Sequence, residues 1–242
     1  MMQLWLEFSK ESRTNWFNSL VLFALSSLWL IYYLGIQGNT ITELPEIIMI
    51  LLFFFACFHF FTELFRQIKV FKKSSYRLLP ISEWRLYLYN LLFSWVTNSA
   101  LLLLYYLIYA LISLFLNNTE QAGLILEYGK YLILISYCLL SLSNFYQFFY
   151  FLSFMFSLKV AVPLQRMTRY LLILLFILIE GIASTYLMRH LKQITFFQTK
   201  HWTITLTYIK IYFSDFILEG CLLAISAVIT VAILKKYIEP EK

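Results

Sequence analysis

The chain has 242 residues, 61% of them hydrophobic, 20% aromatic and only 13% charged. Soluble domains run near ~45–50% apolar and ~25% charged, so an ordinary soluble domain is excluded and the membrane class is favoured. The net charge of +6 resides in lysines and arginines placed in short segments between apolar runs, which is how membrane topology uses them; nucleic acid is therefore not an expected partner.

Residues 2–16, MQLWLEFSKESRTNW, set Leu4, Trp5 and Phe8 at helical spacing, with Glu7, Lys10, Glu11 and Arg13 elsewhere on the wheel. This predicts a short amphipathic helix in the cytoplasmic interface, the alternative being a frayed polar end. Lys10 and Arg13 precede an apolar run as in a signal peptide. The run is about twenty residues long and lacks a small-x-small cleavage site, so it is expected to stay as the first span.

The apolar runs predict an all-α membrane protein of six spans, at about 17–36, 47–65, 86–116, 128–156, 170–188 and 211–234. A helix needs about 20 residues to cross the hydrocarbon core. All six fall in one transmembrane domain, 1–242. The linkers QGNTITELPE (37–46) and NNTEQAG (117–123) hold no lysine or arginine and are expected outside. Residues 189–210 are too polar to span, yet Phe196, Phe197, Trp202 and Tyr208 predict a re-entrant external segment dipping into the outer interface. With this layout fourteen of the nineteen basic residues lie inside, which puts both termini in the cytoplasm.

Chemistry-bearing motifs are scarce. Cys57, Cys138 and Cys221 sit in apolar runs as small hydrophobes, and no C-x-x-C, H-E-x-x-H or G-x-S-x-G occurs. His59, His190 and His201 are too far apart in the topology to share a metal. No G-x-x-x-x-G-K-[ST] phosphate loop is present. No catalytic residue, metal or cofactor is thus expected in this chain, and an active pump would need its nucleotide-binding part on another polypeptide.

Polar residues inside spans are costly, roughly 2.5–3.5 kcal/mol for a charge at the helix centre. His59, Glu63 and Arg66 fall at i, i+4 and i+7 on one face of the second span, where Glu63 and Arg66 can pair. The readings are a structural ion pair with interfacial snorkelling, or a gate at the mouth of a transport path. Glu180, in the fifth span, pairs with another helix or lines a polar cavity. Asp215 and Glu219 share a face of the sixth span. Asn98, Asn144 and Gln147 are expected as interhelical glue. The aromatic runs 53–61, with Phe54 and Phe58, and 145–156 supply lipid contact, packing and a subset of cavity candidates.

The long polar interruption RQIKVFKKSSYRLLPISEWRLYLYN (66–90) carries six basic residues, Arg66, Lys69, Lys72, Lys73, Arg77 and Arg85, against Glu83 alone. Such a loop is expected in the cytoplasm. Its proline and Ser82 or Glu83 suit a helix start. With this loop, six spans, a short second inner loop and an external re-entrant element, the chain resembles the type-2 ABC transporter permeases, related to the ABCG-like exporters. The resemblance covers the whole chain but rests on architecture, its most specific local match being RLLPISEWRLYLYNLL (77–92).

The resemblance implies that Arg77, Leu79, Pro80, Ile81, Ser82, Glu83, Trp84 and Arg85 form a coupling helix that docks on an ATPase. Residues 163–169, with Arg166 and Met167, would be a smaller second contact. It implies two permease subunits, expected to be identical, over two ATPase subunits that bind ATP and Mg. It further implies a bacterial cell membrane and, as in the phenol-soluble-modulin and bacteriocin exporters, export of amphipathic peptides. Alternatives are a substrate-capturing importer subunit, a non-transporting peptide-immunity protein and, least supported because Glu180 has no second glutamate, an intramembrane protease.

Overall fold

Segments this apolar must satisfy their backbone hydrogen bonds internally once water is excluded, and a helix does so within one segment. The computed structural model describes residues 2–37, 44–72, 81–115, 119–191, 203–206 and 209–237. Among them are six α-helices: α1 (Met2–Gln37), α2 (Leu44–Lys72), α3 (Glu83–Phe115), α4 (Thr119–Ser157), α5 (Gln165–Leu191) and α6 (Phe213–Tyr237). A 3-10 turn, Val162–Leu164, leads into α5, and strands β1 (Thr203–Leu206) and β2 (Ile209–Tyr212) precede α6. Five helical segments of the described residues are long and apolar enough to cross a membrane: Leu51–Lys72, Glu83–Leu111, Tyr131–Ser157, Val162–Ala183 and Phe216–Tyr237. This is the pattern of a multi-pass membrane protein. In Val162–Ala183 only 6% of the most apolar window is buried, so that helix needs an apolar surrounding that the described residues do not provide.

Several expected boundaries are corrected. The expected first span, 17–36, lies within α1, and the side chains towards its end lie outside those described. The interfacial helix expected over 2–16 is not separate: α1 runs without a break from Met2. No glycine or proline stands before Gly35 to stop it, and Leu4 and Phe8 are buried rather than laid on an interface. Helix α2 continues to Lys72, where Lys69 and Lys72 oppose the negative end of the helix dipole. Helix α4 begins at Thr119, so most of the expected turn 117–123 is helical.

The stretch before α6 contains an antiparallel hairpin, with Thr203 opposite Tyr212, Ile204 opposite Ile211, Thr205 opposite Lys210 and Leu206 opposite Ile209. Alternating β-branched residues favour extended pairing there. Ile211 and Tyr212, read as the start of the last span, belong to β2. Residues 192–202 lie outside the described residues, and no membrane dip is assigned to this segment.

The chain divides into two compact units, Met1–Ser143 with Pro240–Lys242, and Asn144–Glu239, the division falling within α4. In the first unit, Phe23 of α1, Leu52 and Phe55 of α2, and Leu101, Tyr105 and Tyr109 of α3 form a shared core. Phe23 meets Phe55 edge-on at 5.8 Å and Tyr105 at 5.7 Å. Trp95 Nε1 donates to Ser136 O at 3.0 Å and to Ser136 Oγ at 2.9 Å, fastening α3 to α4. In the second unit, Asn144 Nδ2 donates to Leu223 O at 3.2 Å and to Ser226 Oγ at 2.5 Å, joining α4 to α6. Arg169 near the start of α5 donates to the Tyr150 hydroxyl at 3.3 Å and lies 4.8 Å from the Phe154 ring centroid.

Candidate functional site

Helical spacing brings His59, Glu63 and Arg66 to the inward face of α2, where each is buried. Glu63 accepts from Arg66 Nε at 2.7 Å, from Ser94 Oγ of α3 at 3.2 Å and from Ser12 Oγ of α1 at 2.5 Å. Arg66 Nη2 donates to Ser94 Oγ at 2.5 Å. The guanidinium lies 5.3 Å from the centroid of Phe8 and 4.9 Å from that of Phe93, so both charge-assisted bonds and ring faces replace its water. Arg66 is 4% exposed and does not snorkel to an interface. The carboxylate and the guanidinium form one neutral knot that ties three helices. His59 packs edge-on against Trp16 at 5.6 Å, with neither ring nitrogen hydrogen-bonded.

Phe54 and Phe58, at i and i+4 of the same helix, are 63% and 42% exposed and turn away from this knot. The structure therefore separates two sets of residues that the sequence could only group as gate or cavity candidates.

One face of α3 continues from the knot to the helix start. Asn90 Nδ2 donates to Gln67 O of α2 at 2.9 Å, Tyr87 is fully buried against Phe71 with ring centroids 6.2 Å apart, and Trp84 stacks on Tyr87 at 6.2 Å and 25°. Ser82 caps this end: its carbonyl accepts from Leu86 N at 3.0 Å and its Oγ accepts from Arg85 N at 3.4 Å. Glu83 occupies the first turn, where a negative charge favours the helix N-terminus. Ser82, Trp84 and Arg85 are exposed, Ile81 and Glu83 half-buried. Arg77, Leu79 and Pro80 lie outside the described residues. Trp84 thus presents 39% of its surface while its ring is seated on a buried tyrosine.

In the second unit Pro163 stands in the 3-10 turn before α5, and Gln165 Nε2 donates to Val160 O at 3.1 Å to close the connection. Val162, Leu164 and Met167 are 78%, 54% and 64% exposed, and Arg166 is exposed beside them. Glu180 lies on the wall of a cavity of about 340 Å³ between α4, α5 and α6, together with Phe145, Phe148, Phe149 and Phe176. Glu219 is half-buried, whereas the side chain of Asp215 lies outside those described. Among the described residues no group of histidine, cysteine, aspartate or glutamate could hold a metal.

Sequence reasoning missed Ser12, Ser94 and Gln67, and with them Phe8 and Phe93 as walls of the Arg66 site. The available signal was Glu63 itself, since a carboxylate deep in an apolar helix calls for donors from its neighbours. No family model, curated protein or solved structure matches this chain.

Proposed function

We propose that this chain is the membrane-spanning permease subunit of an ATP-driven exporter of the type-2 ABC kind. It works as a pair of identical copies in a bacterial cell membrane, with two separate ATPase subunits that bind ATP and Mg and with both termini in the cytoplasm. Its cargo is amphipathic or hydrophobic peptide, antimicrobial peptides included. The observation that carries this reading is the exposed edge Ser82–Arg85 at the capped start of α3, seated through Trp84 and Tyr87 on the buried face of α2.

That edge has the chemistry of a docking point: a partly exposed tryptophan and an arginine, residue types that dominate protein interfaces. It also has the mechanics of a lever. A push on Trp84 would be passed to Tyr87 and Phe71, to Asn90 and Gln67, and to the Ser94–Glu63–Arg66 knot through ring contacts and hydrogen bonds along α3 and α2. ATP-driven closure of the ATPases would move α3 and α2 together and squeeze the cavity between the two permease copies outward. The exposed turn with Val162, Arg166 and Met167 supplies the second contact.

The test is co-purification with the ABC ATPase of the same cell, followed by ATPase measurement for the unaltered chain and a Trp84→Ala, Arg85→Glu double variant. The expected result is an ATPase–permease complex that the double variant abolishes or uncouples while its folded yield is unchanged. Absence of any ABC ATPase from the purified chain overturns the reading.

A further inference from the structure

We infer that His59 is an acid-sensitive latch, at which uptake of one proton releases α1 from α2 and α3. His59 lies on the inward face of α2, one turn before Glu63, and is fully buried. Neither ring nitrogen has a hydrogen-bond partner among the described residues. The ring of Trp16, from α1, meets it edge-on at 5.6 Å and 86°. A buried imidazole without bonds costs stability, and imidazole is the side chain whose charge changes most readily near neutral pH.

The three helices set this layer out in register. Ser12 bonds Glu63, so Trp16, one turn along α1, stands level with His59. Asn90 bonds Gln67 and Ser94 bonds Arg66, so α3 runs antiparallel to α2. Its next turn brings the buried Asn98 to the level of His59. The charges that act on His59 are those of Glu63 and Arg66, themselves paired at 2.7 Å. Of the other titratable groups near this level, Glu11 and Arg13 flank Ser12 on half-buried and exposed sides of α1, and Cys57 is on another face of α2. Tyr105 of α3 packs one layer further on, against Phe23. Glu63 is the only buried carboxylate among the described residues.

With His59 neutral, this core holds one carboxylate and one guanidinium in balance. A proton on His59 makes two cations share a carboxylate that already accepts from Ser12, Arg66 and Ser94. A buried charge without its own counter-ion is strongly destabilising. Helix α1 meets this core through uncharged groups alone, Phe8 on Arg66, Ser12 on Glu63 and Trp16 on His59. Helices α2 and α3 are tied by the charged knot and by Asn90. Lifting α1 is therefore the least costly way to bring water to the imidazolium. In the unfolded chain a histidine titrates near 6.5, so as pH falls the unfolded state binds a proton that the closed core does not. The stability present above about pH 6.5 is lost below it. The latch needs no ATPase, so it stands or falls apart from the exporter reading.

The test is equilibrium unfolding of the full chain in mixed micelles at about pH 7.5 and about pH 5.5, with amide exchange corrected for its intrinsic pH dependence. The unfolding constant should rise about tenfold between the two, the factor set by one histidine that titrates only when unfolded. His59→Phe, which keeps a ring against Trp16, and His59→Gln should each change by less than about twofold. The His190→Gln, His201→Gln double variant, which removes the other two histidines, should keep the tenfold change. Acid should lower amide protection over residues 8–19 of α1 before residues 90–98 of α3. A tenfold change that persists in both His59 variants, a change below about twofold in the unaltered chain, or protection lost in α3 as early as in α1 overturns the inference.

Discussion

Replacing Glu63 by glutamine tests the reading of the three-helix knot most sharply. Glu63 is fully buried and accepts from Ser12, Arg66 and Ser94, while Arg66 is 4% exposed. Glutamine keeps one acceptor but removes the charge, leaving a guanidinium that retains Ser94 Oγ and two ring faces and has no counter-ion. Breaking a buried pair from one side costs about 3–5 kcal/mol. At about 1.4 kcal/mol per factor of ten, that is roughly two to four orders of magnitude in the unfolding constant. Arg66→Met should cost a similar amount, because it strands the carboxylate.

The Glu63→Leu, Arg66→Met double variant removes both charges and fills the space with apolar groups, so it should recover most of the loss. Equilibrium unfolding in mixed detergent micelles, followed by tryptophan fluorescence, reads all three. Trp5 lies 5.5 Å from Phe93, and Trp16 lies 5.6 Å from His59 at the same three-helix junction. A Glu63→Gln cost below about 1 kcal/mol, or a double variant as damaged as the sum of the singles, would refute the argument, since coupled charges cannot behave additively.

Three further outcomes follow from the same structure. Ser82→Ala should destabilise the start of α3 by about 0.5–1 kcal/mol, the lower part of the usual capping range because its 3.4 Å bond is long; faster amide exchange over residues 83–86 and an unchanged core would report it. Cys138 and Cys221 are exposed on the chain yet lie inside apolar helices. Both should resist a charged, membrane-impermeant maleimide in intact bilayers and react after detergent extraction; prompt labelling in the bilayer would contradict their placement in spans. Asn144→Leu removes the bonds to Leu223 and Ser226 and should cost about 0.6–2 kcal/mol, typical of interhelical side-chain bonds in membranes, with Ser226→Ala costing less by the same unfolding assay.

The sequence made the helices legible because length and apolarity alone define them, and it made the Glu63–Arg66 pair legible because a spacing of three residues is local. Ser12 and Ser94 were not legible as partners of Glu63: they stand 51 and 31 residues away, and serine is common in spans as a neutral filler. The break expected at Trp16 failed because polarity does not end a helix; glycine, proline or a cap does, and α1 has none there. The hairpin before α6 was hidden by its aromatic neighbours Trp202 and Tyr208, although Thr203, Ile204, Thr205, Ile209 and Ile211 carry a β-branched pattern. Glu180 was legible as a residue that pairs with another helix or lines a cavity, but its neighbours there were not, since the four rings beside it come from two helices.

The exporter account is tested most directly by a photo-reactive amino acid placed at position 84 in chain produced in its own membranes, with cross-linked partners probed for labelling by a photo-reactive ATP analogue. The account predicts one dominant adduct with an ATP-labelled polypeptide, the same polypeptide captured from position 167, and none from the outward-facing position 54. An adduct pattern without an ATP-labelled partner at position 84 would contradict it.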